Sequence, residues 1–97
     1  MTFNEFKEEI TKIPDLQTQG ERRSGGILGV YVIFGKWKFE DEWIFIRAYE
    51  TVKGVMYMLN TIPEDVYLKQ DFKVLHVTGN NNVNELLVVE STNDDAT

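Results

Sequence analysis

Seven of the chain's twelve aromatic residues fall between Tyr31 and Tyr49: Tyr31, Phe34, Trp37, Phe39, Trp43, Phe45 and Tyr49. Lys36, Lys38 and Arg47 are set among them, around the acidic break Glu40-Asp41-Glu42. Rings and cations in this density suit two kinds of recognition. Trp, Tyr and Arg are the residue types enriched at the energetic centres of protein interfaces. The same rings can stack bases of a single strand while cations follow its backbone. The first chemistry would use Trp37, Trp43, Phe45, Arg47 and Tyr49 as partner-binding anchors. The second would add Lys36 and Lys38 to Arg47 as nucleic-acid contacts, although no RNP-like motif accompanies them.

Other chemistry is thinly supplied. With no cysteine there is no disulfide framework, no thiolate nucleophile and no cysteine-ligated zinc. His76 is the only histidine, so a zinc set is not expected; the turn before Val83 places it opposite Glu85, an ordinary cross-strand pair with a pH-sensitive variant as the sharper reading. Arg22-Arg23-Ser24-Gly25-Gly26 could offer amides and guanidinium groups to an anion, but it lacks nucleotide-loop spacing and reads as a surface loop. Gly29 and Gly35-Lys36 only imitate a Walker loop, since five residues intervene and Trp37 stands where Ser or Thr is required. The carboxylates of Glu40–Glu42, Glu64-Asp65 and Asp94-Asp95 cluster at expected turns and the tail, where solvation keeps them ordinary. Imitation of nucleic-acid phosphates by these acids is a weaker reading. No enzyme is expected, and no cofactor.

The elements that must carry these residues follow from pattern. Thr2 and Glu5 have capping-box spacing, and Phe3, Phe6, Ile10 and Ile13 make one apolar helical stripe that Pro14 stops. Asp15–Gly26 is polar and reads as a loop. Ile27–Phe39 and Glu42–Tyr49 form a hairpin of β-branched and aromatic residues. Thr51 caps a second helix with Val52, Val55, Met56 and Leu59 on one face, weakened by Gly54; Pro63-Glu64-Asp65 opens a further helical turn. Asp71–Thr78 and Val83–Glu90 make a second hairpin around Gly79–Asn82. The expected class is α+β in the order αββαββ: a four-stranded, mainly antiparallel sheet with two helices on one face. Residues 1–90 should form one domain, and 91–97 a disordered acidic tail.

The register of the first hairpin stays open. A two-residue loop at Glu40-Asp41 pairs Trp37 with Ile44 and Gly35 with Ile46, leaving Lys38, Lys36 and Phe34 opposite Trp43, Phe45 and Arg47 on a wet aromatic face. A three-residue loop, slightly preferred because Glu-Asp suits a tight turn poorly, pairs Phe39 with Trp43 and Trp37 with Phe45 and gathers the rings on one face. Few charges guard Ile27–Phe34, so self-association through that strand as a sheet edge, giving a homodimer, is a further option.

Net charge is −6, distributed as −2 over residues 1–19, +1 over 20–49 and −5 over 50–97. The third that holds the aromatic hairpin is thus the one net-basic third of an acidic chain, and the overall acidity disfavours a non-specific duplex-DNA binder. No apolar run reaches membrane-spanning length, and Met1–Ile13 lacks a signal-peptide layout, so a cytoplasmic protein is expected. The leading expectation is a small, acidic, non-catalytic protein-binding domain of adaptor or inhibitor type. Its size and its richness in Asn, Thr and Glu associate it with phage or mobile-element accessory proteins. The alternative is a single-stranded nucleic-acid binder using the same hairpin.

Overall fold

A computed structural model describes residues 1–16, 29–79 and 82–90. The expected Asp15–Gly26 loop with its Arg22-Arg23 pair, the start of the first hairpin at Ile27, the centre of the second turn at 80–81, and the tail 91–97 fall wholly or largely outside the described residues.

Helix α1 (Phe3–Ile10) begins as its capping residues dictate. The Thr2 hydroxyl accepts from the Glu5 N–H at 3.1 Å, and the Glu5 carboxylate accepts from the Thr2 N–H at 2.8 Å. The helix is capped at Thr11, three residues before Pro14, and Ile13 is still buried in the turn that follows. Next come β1 (Val30–Trp37), β2 (Ile44–Tyr49), α2 (Val52–Asn60), the single turn α3 (Glu64–Tyr67), β3 (Gln70–Val77) and β4 (Val83–Val89). Thr51 caps α2 by accepting from the Gly54 N–H at 3.3 Å, and Pro63 stands just before α3 rather than inside it. The architecture is α+β, an open four-stranded sheet in which every neighbouring pair runs antiparallel.

The strand order is β2-β1-β3-β4, so the two hairpins join through β1 and β3. That order overturns the option of self-pairing along Ile27–Phe34: β1 is hydrogen-bonded on both sides, and the edges are β2 and β4. Strand period two sends Tyr31 and Ile33 of β1, Phe72 and Val74 of β3, and Leu87 and Val89 of β4 into one cluster with Phe6 and Ile10 of α1, Ile13 just beyond it, and Val55 and Leu59 of α2. Tyr67 of α3 and Ile62 complete it. The helices therefore share one face of the sheet. No helix among the described residues is long and apolar enough to cross a membrane.

Gly54 shows why a poor helix former sits inside α2. A Cβ there would stand 2.6 Å from Cδ1 of Tyr49 and 3.1 Å from its Cγ, so the close approach of α2 to β2 requires glycine. Gly→Ala in a helix interior ordinarily stabilises by about 1 kcal/mol. Here Gly54→Ala is expected to lower the thermal midpoint instead, because the half-buried Tyr49 ring must shift; a raised midpoint in a melting experiment would disprove the contact.

Candidate functional site: the end of the first hairpin

β1 and β2 are joined by residues 38–43, a longer connection than either register anticipated. The Glu40 N–H donates to the Trp37 carbonyl at 2.9 Å and makes a turn before β2 begins. Gly35 lies opposite Ile44 and Phe34 opposite Phe45; beyond a bulge, Ile33 lies opposite Arg47, Val32 opposite Ala48 and Tyr31 opposite Tyr49. Neither expected register is therefore correct. The wide turn shifts the pairing, and the extra residue Ile46 shifts it again within the strand.

This arrangement leaves four large apolar side chains in the open near the turn. Trp37 is 40% exposed, Phe39 82%, Ile44 51% and Phe45 58%. The Trp37 and Phe39 rings stack at 6.3 Å with 20° between their planes. Beside them is a concavity of about 300 Å³ lined by Gly35, Lys36, Trp37, Ile44, Ile46 and Gln70. A Cβ on Gly35 would stand 2.6 Å from Cδ1 of Ile46, so a larger residue would disturb the floor of that hollow.

The hairpin's lysines turn to a partner that the local sequence does not contain. β1 pairs with β3 so that Lys36 lies opposite Asp71. Lys36 Nζ is 3.1 Å from one Asp71 carboxylate oxygen and Lys38 Nζ is 2.9 Å from the other, while Asp71 is only 3% exposed. Lys36 Nζ also donates to the Glu40 carbonyl at 3.0 Å, tying the ion cluster to the turn. On the sheet face turned away from the helices, Phe34 and Phe45 meet edge to face at 6.2 Å. Lys73 Nζ lies 4.5 Å from the Trp43 ring centroid and 5.6 Å from that of Phe34.

The five anchor residues named from sequence therefore do not form one patch. Trp43 and Phe45 share the open sheet face with Phe34 and Lys73. Trp37 stands at the hairpin end. Tyr49 is half-buried and packs on the core, lying opposite Tyr31 and against Gly54. Arg47 is exposed on the edge strand opposite Ile33, whose side chain is in the core. Phe39, though one of the seven hairpin aromatics, is not among the expected anchors, and neither are Ile44, Gln70, Asp71 and Lys73. Phe39 and Ile44 carried a signal as apolar flanks of an acidic turn, whereas Asp71 and Lys73 join the site only through the β1–β3 pairing.

His76 also departs from expectation. Residues 72–74 pair with 87–89 as the turn implied, but a bulge at Leu86 advances the rest, so His76 faces Asn84 and Glu85 falls opposite Leu75. No His76–Glu85 pair exists. The imidazole is 3% exposed and tilted against Tyr31 at 4.8 Å, with neither nitrogen hydrogen-bonded among the described residues. The Tyr31 hydroxyl meanwhile accepts from the Leu16 N–H at 2.9 Å and donates to the Asp15 carboxylate at 3.2 Å. Burial holds the His76 pKa below its ordinary value. The unfolded chain, titrating near pH ~6.5, thus binds a proton that the folded one refuses. The stabilisation should be complete above that pH and decline as pH falls from it toward the lower folded pKa. Denaturant midpoints at pH 7.5, 6.5 and 5.5 should fall in that order in the wild type and fall less in His76→Phe. Equal slopes would exclude His76 as the cause.

Among the described residues, no three histidine or acidic side chains gather as a metal-binding set. No family model matches the chain, and neither a curated protein nor a solved structure matches it significantly.

Proposed function

We propose that this domain works by binding another protein through the end of its first hairpin, without catalysing a reaction. The observation that carries this reading is the exposure of Trp37 and Ile44 at a concavity large enough for one apolar side chain, with the exposed Phe39 stacked on Trp37. Isolated exposed apolar residues are ordinary on a protein surface, but contiguous ones beside a preformed hollow mark interaction sites. Trp and its neighbours contribute most where a partner removes them from water. Lys36 and Lys38 are engaged with Asp71, which leaves them poorly placed to neutralise phosphates.

The test is affinity capture from an extract of the source cells, with wild-type protein and Trp37→Ala as parallel baits. A protein retained by the wild type should be depleted at least about tenfold on Trp37→Ala, since a central aromatic anchor is worth about 2 kcal/mol or more. Equal retention would exclude the hairpin end as the binding site.

A second reading, single-stranded nucleic-acid binding, is favoured by one observation: Phe34, Trp43 and Phe45 share an open sheet face with Lys73. Trp37 and Trp43 are the only tryptophans, so fluorescence titration with mixed-sequence single-stranded DNA and RNA at two salt concentrations reports on it directly. Salt-sensitive quenching that Lys73→Ala abolishes would favour this reading over the first.

A further inference from the structure

The third of the chain that holds the aromatic hairpin is its only net-basic one, yet the end of the hairpin is acidic. Lys36 and Lys38 both close on the buried carboxylate of Asp71, which comes from β3. Glu40, Asp41 and Glu42 stand exposed in the connection between Trp37 and Ile44, and none has an ion-pair partner among the described residues. They follow directly on Phe39, and both Trp37 and Ile44 are among the residues that line the hollow. An approaching partner therefore meets three free carboxylates beside an apolar pocket. Asp71 offsets one of the two positive charges of Lys36 and Lys38 and holds both side chains, so the three exposed carboxylates outweigh what remains, while the third cation, Arg47, sits along the edge strand.

Resting on the protein-binding reading, we infer that the partner segment is cationic and carries one large apolar side chain. That side chain enters the hollow between Trp37, Ile44, Ile46 and Gln70, where the lining Lys36 is held by Asp71, and flanking Lys or Arg residues lie along Glu40, Asp41 and Glu42. Complementary charge speeds encounter and excludes wrong partners, while the desolvated apolar anchor supplies most of the affinity. The chain's net charge of −6 acts in the same direction at longer range. An acidic segment or a phosphate backbone would be repelled by the same carboxylates.

The experiment selects displayed random dodecapeptides on the immobilised full-length protein and then measures synthetic, fluorescein-labelled binders by anisotropy at low and high salt. Enriched peptides should combine a Trp, Phe or Leu with flanking Lys or Arg. Trp37→Ala should weaken them by about tenfold or more. The triple variant Glu40→Gln/Asp41→Asn/Glu42→Gln should weaken them several-fold and remove most of their salt dependence. Binders lost with Trp37→Ala but lacking basic residues, or indifferent to the triple variant, would overturn the cationic assignment while leaving the protein-binding reading in place. Binders indifferent to both variants, or no enrichment at all, would overturn both. All these positions are exposed or partly so, and an unchanged circular dichroism spectrum confirms that the variants are folded.

Discussion

Replacing Phe6 with alanine is expected to remove about 3–5 kcal/mol of unfolding free energy, the range for a fully buried Phe. Phe6 has no exposed surface, and its ring contacts Tyr67 at 4.9 Å, Phe72 at 6.0 Å and Phe3 at 6.4 Å. It thereby joins α1 to α3 and to the central strand β3. The helix it belongs to is only eight residues long and would not persist alone in water. Losing that anchor should free α1 as a unit. At about 0.05–0.15 kcal/mol per residue the whole domain holds on the order of 5–15 kcal/mol, so this one truncation removes a large share. Guanidinium unfolding should show a much lower midpoint for Phe6→Ala, whereas Phe6→Leu, which keeps most of the volume, should lose far less. A Phe6→Ala loss under about 1 kcal/mol would mean the aromatic cluster does not anchor the helix.

The second large effect is expected at Asp71. Asp71→Asn keeps the shape but leaves two ammonium groups crowding one neutral amide. Removing one member of a fully buried ion pair costs about 3–5 kcal/mol. The Lys36 and Lys38 side chains retain 13% and 24% of their exposure, so water and salt take up part of that penalty. A loss of about 2–3 kcal/mol is accordingly expected. Lys36→Met/Asp71→Leu/Lys38→Met should recover most of it, because an apolar triad carries no desolvation penalty. Denaturant curves of the wild type, the single and the triple variant decide the matter. Near-equal midpoints for wild type and Asp71→Asn would show that the cluster behaves as a solvated surface pair.

Asp71 is also where the limits of the linear sequence are clearest. In the sequence, Lys36 and Lys38 alternate with aromatics and resemble free cations on a binding strand. Their counter-ion lies more than thirty positions later, across α2 and α3, and only the β1–β3 register brings it opposite. His76 carries a similar lesson at smaller scale. Its strand and turn were legible, but one bulged residue at Leu86 exchanged the expected Glu85 for Asn84. A bulge arises from the balance of packing on two faces, which leaves no simple local mark. Gly54 is the reverse case: its sequence signal, a weak spot in a helix, was correct as a propensity, and its cause lay in Tyr49 on another element.

By itself the sequence determined whatever depends on neighbours within about four positions. The capping box of Thr2 and Glu5, the cap at Thr51, the buried stripes of both main helices, the break at Pro63 and the four strands all follow from such short-range bonds and periods. The α+β class follows from their order. Tertiary structure alone decided which strands are edges, which register the hairpins take, and which rings stay in water. Those outcomes depend on pairing between distant segments, where one shifted residue turns a side chain to the other face. The hairpin's chemistry divides between the two: its aromatics and its acidic turn were legible, but that Asp71 holds both lysines became visible only in the fold.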